Sequence, residues 1–263
     1  FDIGIFNALN VVVDFYKRTS DIVMPANIPN FNGISGSVYM NAGQIENKGI
    51  EIQVSATPFK GEFSWETTLS WSKNNNKILS LANNQNQLAN AKAGTKWSNV
   101  IRNYVGRPMG DMYMLKVIGT FNTEEDLAKY ATNGTQGIGD LIFEDYKKDG
   151  TIDVNDYQLV GNYQPDFTFG WNNTFKYKDL DLAITIDGQC GGNVIYAAAR
   201  AFSLNRYDDN VLAESGLGRW ISPTNTGNGT SHKAGTNNLG SNIGPSTRYL
   251  YDADFLRIRN ISL

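Results

Sequence analysis

One cysteine, one histidine and no long apolar run are the shortages that first narrow the reading of this chain. Cys190 alone cannot form an internal disulfide, and beside Gln189 and Gly191-Gly192 it reads as a small residue at a strand end rather than a nucleophile. His232 lies in a Gly/Ser/Thr/Asn-rich stretch and reads as a solvated loop residue. With one Cys and one His, no Ser/His/Asp or Cys/His machinery can be assembled beyond those two residues. Paired carboxylates such as Asp208-Asp209 read as solvated turns, and a hydrolase reading lacks an acid–base pair, so the chain is not read as an enzyme. No apolar run approaches the roughly 18 residues of a transmembrane helix. That says nothing of strands, whose membrane signal is much weaker. Net charge is −3 and basic residues are not clustered, which disfavours nucleic-acid binding.

What is present is strand patterning. The chain has 263 residues, enough for one large β domain or two small ones. It is 41% hydrophobic, 19% charged and 12% aromatic, a modest apolar fraction with many rings, as alternating barrel strands produce. The clearest stretch is Asn41 to Trp71. Ile50, Ile52, Val54 and Ala56 alternate with Glu51, Gln53, Ser55 and Thr57; Phe63, Trp65, Thr67, Leu69 and Trp71 alternate with Ser64, Glu66, Thr68 and Ser70. Period two marks strands with one apolar and one polar face. Pro58-Phe59-Lys60-Gly61 joins them as a tight turn. A soluble sandwich would bury the apolar face against a second sheet. A membrane barrel would turn it to lipid. Strand length leans toward the barrel, because a tilted crossing needs about 9–11 residues and soluble strands average about 5–6.

Along the chain the same plan recurs. Residues 1–6 and 9–18 read as a hairpin about Asn7-Ala8. Thr19 to Glu46 reads as a long loop with one short strand at Asp21 to Met24. Ser80 to Asn99, rich in Asn, Gln and Ala, reads as loop or weak helix, and Asn103 to Phe121 as one or two short strands around Arg107-Pro108-Met109-Gly110. Thr123 to Thr132 is the helix candidate, capped by Thr123 with Asp126 three residues on. Phe167 to Phe175 and Leu180 to Ile186 form a second long hairpin about Lys176–Asp179. Val194 to Phe202 is helix-like, Ser222 to Gly244 is loop, and Phe255 to Leu263 is a last strand.

Short turns and long connections alternate without exception: short at Asn7-Ala8, Pro58–Gly61 and Lys176–Asp179, long at 19–46, 75–165 and 189–253. That is the pattern of a transmembrane barrel with short periplasmic turns and long extracellular loops, whereas structureless loops of this length argue against a soluble domain. The seven crossings expected are 1–6, 9–18, 47–57, 62–72, 166–176, 180–188 and 255–263. The fold class is therefore all-β, part of a large antiparallel transmembrane β-barrel with long extracellular loops. Both ends fall inside strand patterns, so the chain is expected to be part of a longer protein, its barrel incomplete at both ends.

The stretch GQIENKGIEIQVSATPFKGEFSWETTLSWSKNNNKILSL resembles the C-terminal barrel region of SusC/RagA-type TonB-dependent transporters. An N-x-G-x-x-x-N-K-G-hydrophobic-E run is typical there; here it is Asn41, Gly43, Asn47, Lys48, Gly49, Ile50 and Glu51. The resemblance continues through Val105-Gly106-Arg107-Pro108-Met109-Gly110, through the segment from Gly139 to Arg200, and to the final DADFLRIRNISL. It covers nearly the whole chain, so that residues 1–263 are expected to be the C-terminal portion of such a barrel. It implies a plugged barrel of about 22 strands in the outer membrane of Bacteroidetes. Such a barrel imports glycans or peptides under a SusD-like lipoprotein lid, driven by the TonB complex through a segment outside this chain.

One motif carries metal chemistry. Asp145 to Asp156, within an acidic segment at 139–157, reads DYKKDGTIDVND. Set on an EF-hand loop, Asp145, Asp149, Asp153 and Asp156 take positions 1, 5, 9 and 12. Gly150 takes the sharp turn at 6, Thr151 offers its carbonyl at 7 and Ile152 anchors the loop at 8. Hard oxygen donors at alternating positions suit a structural Ca²⁺. Lys147 at position 3 loses one ligand, and Asp156 is shorter than the usual Glu. The bland alternative is an acidic solvated loop with an Asp-Gly turn. Among aromatics, Trp97, Tyr104, Trp220, Tyr249 and Tyr251 lie in or beside the long connections, where a ring could stack on a sugar; Trp97, Tyr104 and Trp220 are the candidate substrate contacts, with packing inside the loops the favoured alternative for all five. Trp65, Trp71, Trp171, Phe167 and Phe175 fit an interface girdle. The competing reading is a soluble Ca²⁺-stabilised β-sandwich that binds carbohydrate.

Overall fold

Seven alternating segments pair in sequence into a single antiparallel sheet, as the apolar and polar faces require. The protein is described from a computed structural model, which covers residues 1–6, 8–27, 33, 36–81, 86–88, 91–93, 97–203, 210–235, 242 and 244–263. Strands β1 (Asp2–Ile5), β2 (Leu9–Asn27), β3 (Ser37–Phe59) and β4 (Phe63–Ser80) come first. An excursion follows, with β5 (Ala91–Ala93), β6 (Trp97–Arg102), β7 (Asp111–Met114), β8 (Val117–Thr120), α1 (Glu124–Lys129), β9 (Leu141–Phe143) and β10 (Gln158–Asn162). The main sheet resumes with β11 (Phe167–Tyr177) and β12 (Leu180–Cys190). A second excursion carries β13 (Asn193–Ile195), α2 (Ala213–Leu217) and β14 (Leu250–Asp252), and β15 (Phe255–Ser262) closes the chain. The main sheet runs β1-β2-β3-β4-β11-β12-β15, the seven expected crossings in chain order.

One face of this sheet is apolar across all seven strands. Its cross-strand rows run Val13, Ile52, Trp71 and Phe169, then Val11, Val54, Leu69, Trp171, Ile186 and Ile258. Phe15 is 67% exposed, Leu180 61% and Ile261 62%, and among the described residues no second sheet covers this face. A sandwich would need one. Two ring clusters edge the band. Phe59, Trp65, Phe175 and Phe63 stack at the short-turn end, with centroids 5.8–6.4 Å apart. Trp71, Phe167 and Phe169 cluster at the other end. Trp171 differs from its expected place in the girdle: it pairs with Leu69, between the clusters. Its indole donates to Thr67 Oγ1 at 2.8 Å, and the Trp65 indole donates to Asn173 Oδ1 at 3.1 Å. Thr67 and Asn173, polar residues within the apolar band, are thus acceptors for the two indoles, which an apolar environment would otherwise leave unpaired.

Several expectations are corrected. Thr19 to Glu46 is mostly ladder, not loop: β2 and β3 pair from Leu9↔Ala56 through Asn27↔Ser37, with a bulge at Ile22/Val23. β4 likewise continues through Asn74–Lys77 to Ser80. Apolar alternation stops where the apolar environment stops, but backbone pairing does not depend on it. Ser80 to Asn99, where described, contains β5 and the start of β6 rather than helix. In the helix-like patch at 194–202, β13 comes first and a 3-10 turn at Ala197–Ser203 follows. The helix candidate forms as α1, shorter than expected, with the Thr123–Asp126 capping box present and Tyr130 extended at its end. Asn7, Asp208-Asp209 and part of 222–244 lie outside the described residues.

The Asn-Lys-Gly motif has a steric reason. Gly49 lies opposite Tyr16 on the polar face, and the Tyr16 hydroxyl crosses it to donate to Asn74 Oδ1 at 3.1 Å. A Cβ on Gly49 would stand 2.2 Å from the Lys73 carbonyl oxygen and 2.6 Å from the Tyr16 hydroxyl. The tyrosine could swing away; the strand carbonyl cannot. Gly49→Val is therefore expected to destabilise the sheet by about 3 kcal/mol or more, and a paired Tyr16→Ala change to rescue it only in part. Heat-modifiable mobility of the refolded full-length protein checks this; wild-type mobility for Gly49→Val would show the clash to be absent.

Candidate functional site

The polar face carries the groups that meet the excursions. Asn47, Asn74 and Asn76 share that face by strand parity. Asn47 Oδ1 accepts from both Asn74 Nδ2 (3.1 Å) and Asn76 Nδ2 (2.9 Å). An amide both donates and accepts, so the three link β3 to β4 without bringing charge. Asn76 Oδ1 in turn accepts the Met109 amide at 3.0 Å. A cleft of about 310 Å³ opens beside them, lined by Asn47, Asn74, Asn76, Gln164 and Thr168 among others. Further along the sheet, Asp187 holds Arg257 and Arg259 on the same polar face.

The first excursion is riveted to the end of β4. Ile78 pairs with the 105–109 turn through two backbone bonds, Ile78 N–H to Arg107 C=O and Gly106 N–H to Ile78 C=O. Ile78 and Leu81 are buried there against Ile45, Leu88, Val105 and Met109. Gly110, at φ +84, has the Tyr163 ring where a side chain would stand. Asp111, 1% exposed, accepts from Arg107 Nε and from Asn162 Nδ2 at 2.8 Å. Asn162 and Gln164 both also donate to the Met109 carbonyl. The family-like Val105 to Gly110 run is therefore the clasp between sheet and excursion.

The two excursions share one core of Trp97, Val100, Met114, Ala199 and Tyr249, with Trp97 and Tyr249 centroids 5.0 Å apart. Asn242 ties them again, accepting from Leu141 N–H and donating to the fully buried Asp140. Of the three candidate contacts, Trp97 is enclosed, its ring against Tyr249. Tyr104 and Trp220 are half-buried. Tyr104 packs edge-on to Tyr113, and the Trp220 indole donates to Asn122 Oδ1 at 2.9 Å. The structure does not bring the three onto one surface by any direct contact with one another.

His232 is 2% exposed rather than solvated, because the excursions fold onto it. Its Nδ1 lies 2.7 Å from the Lys233 carbonyl oxygen. Burial first, and the Arg248 charge second, push its pKa below the ordinary 6.5; Asp140 acts in the opposite sense. Cys190 is a free, half-buried residue at the end of β12.

The acidic loop closes largely on backbone amides. Asp145 accepts from the amides of Lys148, Asp149 and Gly150, and Asp156 from those of Lys147 and Asp153. The Gly150 amide above all, with those of Lys148 and Asp149 and the adjoining Asp156 carboxyl, holds Asp145 below the usual carboxylate range. Asp149 and Asp153 cap the amides of Thr151 and Asn155. Gly150 sits at φ +84, Ile152 is buried beside Leu141 and Phe143, and Asp156 is wholly buried. Positions 1 and 12 thus meet. Among the described residues no three acidic, His or Cys side chains form a metal-holding group.

No family model matches the chain. It is similar to TonB-dependent receptor P3 of Formosa agariphila, 27% identical over 268 residues, which is 99% of this chain and 26% of that protein. It is similar to TonB-dependent receptor P26 of the same organism, 28% identical over 266 residues, 100% of this chain and 26% of that protein. TonB-dependent receptor SusC of Bacteroides thetaiotaomicron is 24% identical over 256 residues, 95% of this chain and 23% of that protein. The chain spans about a quarter of the length of the curated relatives it matches. Among solved structures, that of the RagAB peptide transporter superposes with a TM-score of 0.70 at 18% identity, over 97% of this chain and 26% of that one. The RagAB peptide importer in the 'open-open' state gives 0.66 at 19%, over 97% of this chain and 26% of that one. These relatives bear out the resemblance to SusC/RagA-type transporters read from the Asn47-Lys48-Gly49 stretch. The structural likeness shows the fold: the main sheet is part of a large antiparallel transmembrane barrel.

Two outcomes follow from the clasp and the buried histidine. Asp111→Ala leaves the Asn162 amide and the Arg107 guanidinium without their buried acceptor, a cost of about 1–3 kcal/mol. It is expected to raise protease sensitivity within 82–165 while the sheet stays protected; unchanged cleavage would show that the clasp does not anchor the excursion. For His232, the unfolded chain takes up a proton at higher pH than the folded one. Its contribution is therefore complete above about pH 6.5 and declines as pH falls below that. Melting temperature is expected to drop between about pH 7 and 5, and His232→Asn to flatten that slope; parallel slopes would place the sensitivity elsewhere.

Proposed function

We propose that this chain forms wall and extracellular cap of a TonB-dependent importer in the bacterial outer membrane, carrying nutrient oligomers, glycans or peptides, through its lumen without chemistry on them. The observation that supports this best is geometric. The sheet is apolar on one face along its whole width, and both excursions spring from the same strand ends and fold into one body over the polar face's rim. An apolar outer face suits lipid, and a polar inner face of amides and ion pairs suits a hydrated path. A SusD-like lipoprotein lid and the TonB complex are the partners this reading calls for, the latter acting through a segment outside this chain. Tyr104 and Trp220, half-buried in the cap, remain the aromatic candidates for substrate contact. No step of the reading needs a catalytic group.

The test is fractionation of cells expressing the full-length protein. Recovery from detergent-solubilised outer membrane together with a co-purifying lipoprotein is expected. Recovery in the soluble fraction would overturn the reading in favour of the carbohydrate-binding sandwich.

A structural Ca²⁺ in the Asp145–Asp156 loop is part of the same proposal. Two carboxylates that adjoin, one of them buried, favour a cation; Asp149 and Asp153 cap the Thr151 and Asn155 amides and would have to turn from them to join the Thr151 carbonyl in an oxygen shell. Ca²⁺ at millimolar concentration is expected to give binding heat and a raised melting temperature, both lost in Asp156→Asn. No heat and no shift would leave the loop held by its amides alone.

A further inference from the structure

The outward face carries a basic patch where its apolar band ends. Lys17 lies directly opposite Lys48 in the β2–β3 ladder, and Lys73 lies opposite Ile50 in the β3–β4 ladder. Lys77 lies opposite Glu46, one row above Lys48. By parity all four lysines share the face of Phe15, Ile50 and Trp71, not the polar face of Asn47 and Tyr16. A groove of about 500 Å³ there is lined by Phe15, Lys17, Lys48, Ile50, Lys73 and Asn75 among others.

The charges do not cancel within the protein. Glu46, its side chain 10% exposed, accepts from Lys17 at 2.9 Å and approaches Lys48 at 3.7 Å, while those lysines are 68% and 59% exposed. The next carboxylate up this face, Asp21, accepts from Gln44. Glu46 bridges the like-charged cross-strand pair Lys17 and Lys48, but one carboxylate faces four ammonium groups, and a net positive charge remains on this face. Height along the barrel names the counter-charge. Lys73 lies ten residues beyond Phe63 on β4. At about 3.3 Å per residue and a tilt near 40°, that is about 25 Å, the height of a barrel's apolar band. The lysines therefore stand at headgroup level at the long-loop end, directly above rings that meet acyl chains.

We propose that Lys17, Lys48 and Lys73 form a site for the phosphate of an anionic lipid headgroup in the outer leaflet, its acyl chains lying along Phe15, Ile50 and Trp71. The inference rests on the membrane-barrel reading. Polybasic surfaces at a membrane attract anionic headgroups, and a groove with an apolar floor below the charges distinguishes a lipid from a free anion.

The experiment titrates detergent-purified full-length protein with a lipid A bearing one phosphate, with the same lipid dephosphorylated, and with inorganic phosphate, read by native mass spectrometry and melting temperature. Binding and stabilisation by the phosphorylated lipid alone are expected. The triple change Lys17→Gln, Lys48→Gln, Lys73→Gln should weaken it at least tenfold, and Lys48→Gln alone by less, with heat-modifiable mobility unchanged. Lys176→Gln with Lys178→Gln, at the short-turn end, should leave it as in wild type. Equal binding by the triple variant, equal binding of the dephosphorylated lipid, or equal protection by inorganic phosphate would each overturn the site. A protein that is soluble without detergent would overturn the barrel reading itself; a detergent-solubilised protein that ignores the lipid would overturn only this inference.

Discussion

Backbone pairing on a face without water governs everything else in this molecule. Where one side of a sheet meets hydrocarbon, an unpaired N–H or C=O has no solvent partner, so each strand must be bonded along its length and its side chains must sort by parity. That constraint explains the polar residues that break the apolar face. Thr67 and Asn173 face outward because Trp171 and Trp65 bring indole donors there, and each donor finds its acceptor one strand away. It also explains why Gly49 has no side chain: the Lys73 carbonyl must stay in the ladder, and the space above Gly49 is taken by Tyr16 reaching Asn74.

The same ladder sets how the excursions are held. Above the apolar band the strands continue, and their polar-face amides become the attachment points. Asn76 bonds both Asn47 and the Met109 amide, so the wall and the first excursion share one side chain. Asp111 adds a charge, but its partners Arg107 and Asn162 come from the same clasp, so the buried carboxylate orders a turn rather than bridging distant parts. The second excursion joins by packing, Tyr249 on Trp97, and through Asn242. The two excursions are one body because each leaves part of a core that only the other completes.

How much of this the sequence disclosed follows the same physics. Crossing strands, short turns and the α1 cap were legible, because apolar alternation and capping residues are local signals. Strand ends above the band were not: Gln44, Asn75 and Lys77 carry no alternation, yet they sit in the ladder as firmly as Ile52. Trp97 was expected to pack inside the loops, although its partner Tyr249 was not foreseen; burial of His232 was illegible for a different reason. It depends on contacts between segments about a hundred residues apart, and a Gly/Asn-rich stretch looks the same whether solvated or folded onto a neighbour. The Asn47–Asn74–Asn76 cluster lay in plain view by parity, and only the pairing of β3 with β4 turns three separate asparagines into one bonded group.

The continuous ladder also limits what can move. β2 and β3 remain paired from the short-turn end through Asn27↔Ser37, and β4 stays with them to Ser80. The first excursion is bonded to that extension by backbone as well as side chains. A body so attached follows the wall. Movement relative to the wall must then arise in segments joined less firmly, not by hinging of this body at its base. The basic patch lies at that base on the lipid side, where the stiff extension leaves the apolar band. A headgroup bound there would brace the point at which the wall passes from hydrocarbon to water, where apolar packing stops and pairing alone maintains the sheet.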